Sequence, residues 1–105
     1  MGTLHKAAER SALTPGRPVC VQVAGRAIAL FDLGGPDACR AVDDECTHAG
    51  GNLSEGEVEE GVVTCPWHGA RFDLATGAVL SGPAERPVRS YPVRIQGAEI
   101  WLEID

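Results

Sequence analysis

The sequence predicts an all-β protein. Its 105 residues include 13 glycines and 7 prolines, which divide the chain into short segments. Between these breaks lie runs in which apolar and polar residues alternate, a pattern typical of small β folds. No segment has the apolar spacing of a convincing helix. With 44% hydrophobic residues, the chain is expected to fold as a single domain spanning residues 1–105.

The first half of the chain predicts four strands. A strand is expected over residues 3–8, a turn at 14–16, a hairpin of residues 18–24 and 27–33 around a tight turn at Gly25-Arg26, a further turn at 34–37, and a strand over 38–42. This last strand leads directly to Cys46.

The second half predicts two further hairpins. Residues 57–64 are expected to turn at 59–61, residues 71–74 to be extended and to end in a turn at 75–77, and residues 88–95 to pair with 99–104. Residues 81–84 (SGPA) predict a loop, because proline cannot join the interior of a sheet. The alternation of Ile100, Leu102 and Ile104 predicts a half-buried last strand.

Residues from about 44 to 75 predict an insert in this β scaffold. They are poor in large apolar groups and rich in glycine and turns, so we expect the insert to have little core of its own. A bound metal cluster would supply the missing order, since ligation can contribute folding free energy directly.

The net charge of −6 disfavours nucleic acid and anionic membranes as partners, because both repel an acidic protein. Acidic residues are concentrated in one stretch that has no Lys or Arg between Arg40 and Arg71: Asp43, Asp44, Glu45, Glu55, Glu57, Glu59 and Glu60. Either these residues form solvated loops, or they form a docking field for a basic partner.

No membrane association is expected, since no apolar run approaches the roughly 18–20 residues of a membrane span. Residues 1–13 lack the apolar region of a secretory signal, and a cytoplasmic protein is predicted. In that compartment disulfides are disfavoured. Cys20 and Cys39 lie in apolar, β-like runs and are predicted to be buried free thiols.

Two unlike pairs of metal-ligating residues stand out. Cys46-Thr47-His48 and Cys65-Pro66-Trp67-His68 each contain one Cys and one His, and each pair is surrounded by Gly or Pro. This near-mirrored spacing argues against residues scattered without a metal. Structural zinc also favours Cys₂His₂, but usually with two to four residues between paired ligands. Cys46 and His48 have one residue between them and would lie about 6–7 Å apart on an extended loop.

Two iron atoms suit these pairs better. One iron would take both thiolates, Cys46 and Cys65, and the other both imidazoles, His48 and His68, so that two loops grip a [2Fe–2S] cluster from either side. This is the ligation of Rieske centres.

The residues around the ligands strengthen this interpretation. The C-x-H…C-x-x-H pattern followed by Gly69 resembles the Rieske [2Fe–2S] family, and CTHAGGNLSEG, VVTCPWHGARFDLATG and GPAERPVRSYPV resemble the small ferredoxins of bacterial aromatic-ring dioxygenase systems. The resemblance covers about residues 38–104. It implies a Rieske-type fold of three antiparallel sheets, with a small cluster-binding subdomain inserted in a β-sandwich base. It also implies that residues 81–84 form the proline loop over the cluster.

Departures from the respiratory branch of the same family are informative. Gly51 and Trp67 occupy the positions where that branch carries a disulfide, so the bridge cannot form here. Ala70 and Phe72 occupy the positions of a Ser and a Tyr hydroxyl, and neither can donate an O–H bond. Because donors near the cluster sulfurs favour the reduced form, their absence predicts a potential at the low end of the Rieske range, on the order of −150 mV.

The resemblance implies an electron carrier and not an enzyme. Its expected partners are a flavin-containing NAD(P)H-dependent reductase and a terminal Rieske non-haem iron oxygenase. Two related functions stay open: a small subunit of an assimilatory nitrite reductase, and the ferredoxin of a diiron monooxygenase. The chain has no nicotinamide-binding G-x-G-x-x-G after a strand, and no Ser–His–acid set, since His5, the third histidine, is expected at the surface.

Overall fold

The computed structural model describes residues 2–34, 38–45, 51–66, 69–82 and 86–104. In chain order its strands are β1 (Thr3–Glu9), β2 (Val19–Val23), β3 (Arg26–Asp32), β4 (Cys39–Asp43), β5 (Glu57–Glu59), β6 (Val62–Thr64), β7 (Arg71–Asp73), β8 (Val79–Ser81), β9 (Ser90–Tyr91), β10 (Val93–Gln96) and β11 (Glu99–Ile104). The helical elements in these ranges are two 3-10 turns, Arg10–Ala12 and Leu53–Glu55. The predicted all-β class is confirmed, and the described residues contain no helix long and apolar enough to cross a membrane.

Three antiparallel sheets are stacked, with strand orders β1-β11-β10, β2-β3-β4-β9 and β5-β6-β7-β8. Strand β3 explains the stacking, because successive side chains of a strand point to opposite faces. Ile28 and Leu30 belong to the core shared with the first sheet. Ala29 and Phe31 belong to the core shared with the third sheet. A continuous apolar run is what a strand covered on both faces requires.

The turn between β2 and β3 differs by one residue from the predicted one. Val23 pairs with Arg26, so the two turn residues are Ala24 and Gly25 and not Gly25-Arg26. Both have positive φ, 52° and 77°, which is the twist of a two-residue type I′ hairpin. Glu60 and Gly61 repeat this turn between β5 and β6, within the predicted range 59–61, while Glu59 belongs to β5 and pairs with Val62. Gly35, Pro36 and Asp37 of the predicted turn at 34–37 lie outside the described residues.

The strand predicted over residues 88–95 is wrong as one element. Strand β9 pairs with β4 in the middle sheet, and β10 pairs with β11 in the first sheet. Pro92 separates them, because it has no N–H to donate to a ladder. Its carbonyl still accepts a hydrogen bond from the N–H of Glu103 at 3.0 Å. The last strand alternates as predicted, with Ile100, Leu102 and Ile104 buried.

Ser81 also departs from the prediction. The sequence predicts a loop at this residue, but it ends β8, the outer strand of the third sheet, where it pairs with Arg71. The sequence contains little sign of so short a strand. Pro83 and Ala84 of the predicted proline loop lie outside the described residues.

The inserted segment has more core than its composition predicts. Leu53, Val63 and Phe72 are fully buried, and Leu74 is nearly so. Together with Phe31 from the middle sheet they form one apolar cluster. A few large apolar residues are enough to form a core here, because the insert and the middle sheet of the base contribute to the same apolar cluster.

Candidate metal centre

Of the four predicted ligands, Cys65 lies in the part of the chain that the structure describes. Cys46, His48 and His68 lie outside the described residues, and so does Trp67. The residues that begin and end each ligand-bearing loop are described.

The second loop starts and ends on neighbouring strands. Strand β6 ends at Thr64, which pairs with Arg71 at the start of β7. One residue further into the loop, the Cys65 N–H donates a hydrogen bond to the carbonyl of Ala70 at 2.7 Å. Gly69 has a φ of 77°, which glycine adopts without strain. Backbone pairing thus joins the two ends of the loop over residues 66–69.

The first loop is closed by backbone and side chain together. Glu45 and Asn52 form an isolated antiparallel bridge. The Asp44 carbonyl accepts a hydrogen bond from the Leu53 N–H at 2.6 Å. The Asp44 carboxylate Oδ1 accepts another from the Ser54 N–H at 2.8 Å. The ends of the segment that carries Cys46 and His48 are therefore held side by side.

Residues at the ends of both loops belong to the same apolar cluster. Leu53, at the end of the first loop, and Cys65 and Ala70, at the two ends of the second, all belong to it. Cys65 is only 2% exposed. A buried sulfur donor in an apolar cluster, at the start of the second loop, fits a soft, sulfur-ligated iron centre. The residues present therefore fit a [2Fe–2S] cluster.

Ala70 and Phe72 line the same region and are 1% and 0% exposed. Neither side chain carries a hydrogen-bond donor. The Ala70 methyl and the Phe72 ring therefore exclude water without adding polar bonds on this side of Cys65. Gly51, where the respiratory branch would carry a bridging cysteine, is buried as well.

The acidic stretch divides into two parts. Asp43 accepts a hydrogen bond from the Tyr91 hydroxyl, and Asp44 is 4% exposed with its carboxylate bonded to Ser54. These two residues are structural and do not belong to an exposed field, which corrects the expectation for them. The other five acidic residues are exposed: Glu45, Glu55, Glu57, Glu59 and Glu60.

The two remaining cysteines differ from each other. Cys39 is a buried free thiol, as predicted, but Cys20 is exposed, so that prediction is wrong. On β2 the side chains alternate, and Val19, Val21 and Val23 take the core-facing side. Cys20 therefore faces outward, since successive side chains of a strand point to opposite faces.

Asp44 is the functional candidate that the sequence alone did not identify. The 3-10 turn Leu53–Glu55 begins after Asn52, which makes no side-chain cap. Its first N–H groups need acceptors from elsewhere. Asp44 supplies them from across the loop, a contact that local capping patterns cannot reveal.

A fold of stacked antiparallel sheets, with a buried cysteine at the start of one of two closed loops, is that of a small iron–sulfur protein. The Rieske [2Fe-2S] domain matches residues 3–92. The chain belongs to the Rieske [2Fe-2S] family, and its cofactor is a Rieske-type [2Fe–2S] cluster.

Two curated relatives are ferredoxins of oxygenase systems. The chain is 41% identical over 78 residues to the 3-phenylpropionate/cinnamic acid dioxygenase ferredoxin subunit of Shigella boydii, covering 73% of this chain and 72% of the relative. It is 36% identical over 90 residues to the ferredoxin component of the naphthalene 1,2-dioxygenase/salicylate 5-hydroxylase systems of a Ralstonia species, covering 86% and 85%. The predicted resemblance to dioxygenase ferredoxins is confirmed.

Solved structures of similar fold include dioxygenase ferredoxins. The carbazole 1,9a-dioxygenase ferredoxin of Nocardioides aromaticivorans superposes with a TM-score of 0.88 at 32% identity, over 98% of this chain and 99% of that chain. A carbazole 1,9a-dioxygenase ferredoxin solved in complex with its oxygenase gives 0.86 at 30% identity, over 98% and 94%. A chain from Mycobacterium tuberculosis, provisionally named an NADH-dependent nitrite reductase small subunit, gives 0.85 at 28%, over 98% and 96%.

Proposed function

We propose that this chain carries single electrons from a flavin-containing NAD(P)H-dependent reductase to a terminal Rieske non-haem iron oxygenase. Cys46 and Cys65 would ligate one iron of the cluster, and His48 and His68 the other. The observation that carries the proposal is the position of Cys65. It is buried at the start of a closed loop whose ends share an apolar cluster with Leu53, at the end of the other ligand-bearing loop.

When bound, the cluster supplies a one-electron redox couple. The chain holds and surrounds it. Backbone hydrogen bonds at Cys65 and Ala70 fix the second loop, and the side chains of Ala70 and Phe72 keep water from the Cys65 side. All four ligand positions are filled by protein side chains, so no open coordination site is left for a substrate. This supports a carrier and not a catalytic subunit.

The relatives support the oxygenase partner. Two are named as ferredoxins of dioxygenase systems, and one solved ferredoxin is bound to its oxygenase. The nitrite reductase small subunit is the second candidate, because a chain of that provisional name shares the fold. The dioxygenase role has the better support, since it combines the fold with up to 41% sequence identity.

The ligand set can be tested by replacement with matched controls. Purified protein should show the visible absorbance of an oxidised cluster, and an electron paramagnetic resonance (EPR) signal after dithionite reduction. Cys65→Ser and His68→Ala should lose both. Cys39→Ser is the control, because Cys39 is equally buried but lies in the other core, where burial raises the pKa of its thiol. A colourless protein without an EPR signal after reconstitution with iron and sulfide would contradict the proposal.

The pathway is tested separately. Reduction by a flavoprotein, followed by electron transfer to a Rieske oxygenase, is the expected result. Stable co-purification with a sirohaem protein would instead favour nitrite reduction.

We further propose that residues 1–105 fold as one Rieske domain with the cluster-binding subdomain at about 44–75, and that the protein acts in the cytoplasm. A single cooperative unfolding transition of the loaded protein would support one domain. Recovery in the membrane or extracellular fraction of its source cells would argue against the location.

A further inference from the structure

The two ligand-bearing loops are closed differently. The second has a backbone hydrogen bond between its ends, from the Cys65 N–H to the Ala70 carbonyl. The first uses Asp44, whose carbonyl and carboxylate accept hydrogen bonds from Leu53 and Ser54. The segment between these partners contains Cys46 and His48. Asp44 is thus the side chain that joins the two ends of the first loop.

Asp44 is itself held in place by the middle sheet. Its N–H donates a hydrogen bond to the carbonyl of Ala27 at 3.0 Å, at the start of β3. At 4% exposure, Asp44 is shielded from water that could replace its hydrogen-bond partners. The start of the first loop is therefore fixed relative to β3.

Leu53 and Ser54, whose N–H groups bond to Asp44, lie at the other end of the first loop. We call the two hydrogen bonds from these residues to Asp44 the clamp. Leu53 is fully buried in the cluster that contains Cys65. The hydrogen bonds from Leu53 and Ser54 to Asp44 therefore link the first loop to the core on which the second loop stands. Leaving a buried N–H group without an acceptor is costly.

We propose that Asp44 is a positioning residue for the iron–sulfur cluster. It sets the separation between the start of the first ligand loop and the core that contains Leu53 and Cys65. This rests on the proposed ligation by Cys46 and His48. Asp44 acts through the backbone N–H groups of Leu53 and Ser54. The acceptor geometry matters more than the negative charge.

Three variants separate geometry from charge. Asp44→Asn removes the charge but retains an Oδ1 acceptor at the same distance. Asp44→Ala removes the charge and the acceptor together. Asp44→Glu keeps the charge but moves the carboxylate by one methylene group. Glu45→Ala is the control, since Glu45 is an exposed acidic neighbour one residue closer to Cys46.

The first measurement uses the cluster-free protein. Amide hydrogen exchange at Ser54 should speed up about tenfold or more in Asp44→Ala, because the Ser54 N–H loses its acceptor. Exchange should stay near wild type in Asp44→Asn, which keeps an acceptor, and in Glu45→Ala. Because no cluster is present, this result stands or falls independently of the proposed ligation. Unchanged exchange at Ser54 in Asp44→Ala would overturn the clamp.

The second measurement uses the loaded protein. Asp44→Ala and Asp44→Glu should release iron to a chelator about tenfold faster than wild type and broaden the EPR signal, whereas Asp44→Asn should not. Asp44→Asn and Asp44→Ala carry the same charge, so a difference between their reduction potentials reports geometry. Equal iron release from Asn and Ala variants would overturn the proposal. If Asp44→Ala does not fold, the Asn and Glu pair decides the question alone.

Discussion

The Tyr91 hydroxyl donates a hydrogen bond to the carboxylate of Asp43, joining β9 to β4 three residues before Cys46. Tyr91 is 5% exposed, and the Arg89 guanidinium lies over its ring, 5.1 Å from the centroid. The same neighbourhood is tied by a backbone bond from the Asp43 N–H to the Arg89 carbonyl. The strand that delivers the first ligand loop is thereby fastened to the C-terminal part of the chain.

The Tyr91 hydroxyl should lose its proton at a higher pH than an exposed tyrosine does. Burial and the hydrogen bond with Asp43 raise the pKa of Tyr91 above its ordinary value of about 10. The folded state therefore holds the proton more tightly than the unfolded state, so stability is full below about pH 10 and falls as the pH rises further. The chain has a single tyrosine, so ultraviolet absorbance reports this group alone. Asp43→Asn should lower the Tyr91 pKa toward, but not to, its ordinary value, and titration of folded wild type near pH 10 would contradict the assignment.

Breaking the ion pair of Arg10 and Asp32 should destabilise the fold at neutral pH. The Arg10 Nη1 lies 2.8 Å from Asp32 Oδ2, whose side chain is 4% exposed. The hydrogen bond from Arg10 lowers the pKa of Asp32. The pair's contribution is therefore complete above about pH 4 and is lost as the pH falls further.

The measurement is urea unfolding at two pH values. Arg10→Gln should lower the midpoint more at pH 7 than at pH 3, because protonation of Asp32 removes the unpaired charge. Adding Asp32→Asn to Arg10→Gln should recover part of the loss at pH 7. An equal shift at both pH values would mean that the packing of Arg10, and not its charge, accounts for the effect.

Gly77 should not tolerate alanine. Its φ is +80°, and a Cβ atom would collide with the Val88 carbonyl oxygen. Gly25 is the matched control, since its φ is +77° but a methyl group added there would meet no atom within 4 Å. Gly25→Ala should cost about 1–2 kcal/mol for the left-handed backbone alone. Gly77→Ala should cost about 3 kcal/mol or more, since overpacking adds about 1–3 kcal/mol. Equal losses in thermal unfolding would show that the contact with Val88 can relax.

Restoring hydroxyl groups near Cys65 should raise the reduction potential. Ala70 and Phe72 are buried and lack O–H donors. Ala70→Ser and Phe72→Tyr add donors that favour the reduced, more negative cluster. Protein-film voltammetry should place the wild type at the low end of the Rieske range, on the order of −150 mV, and both variants above it. Phe72→Leu is the control without a donor, and a wild-type potential well above 0 mV would refute the prediction.

The exposed acidic residues of β5 should affect the rate of association with the reductase and leave the reduction potential of the cluster unchanged. Glu57 and Glu59 lie on β5, an outer strand of the third sheet, and both are exposed. Neutralising them as Glu57→Gln with Glu59→Gln should slow association with a basic reductase surface and flatten its salt dependence. The potential should be unchanged. Stopped-flow reduction at several ionic strengths measures this, and a rate insensitive to salt in the wild type would exclude steering.

The sequence was sufficient for the class of fold and for the family. Period-two alternation at Ile100, Leu102 and Ile104 predicts a strand because it depends on local geometry. The Cys and His spacing predicts the cluster because few metal centres take one Cys and one His from each of two loops. The ligand assignments at Cys46, His48, Cys65 and His68 stay predictions, to be tested by the replacements above.

Other features depend on contacts between residues far apart in the chain. Residues 88–95 look like one continuous strand in the sequence, but Pro92 divides them. The packing of the sheets decides that β9 pairs with β4 and β10 with β11. The outward orientation of Cys20 follows from which face of β2 the core covers.

The role of Asp44 shows most clearly what the tertiary structure decided. Locally, Asp44 is one of three consecutive acidic residues and resembles part of a solvated charge run. In the fold it is buried and caps a 3-10 turn ten residues away. The sequence by itself determined the chemistry of the centre, since ligand types are local. The tertiary structure decided which residues hold the loops, because a hydrogen bond across a loop exists only once its two ends have met.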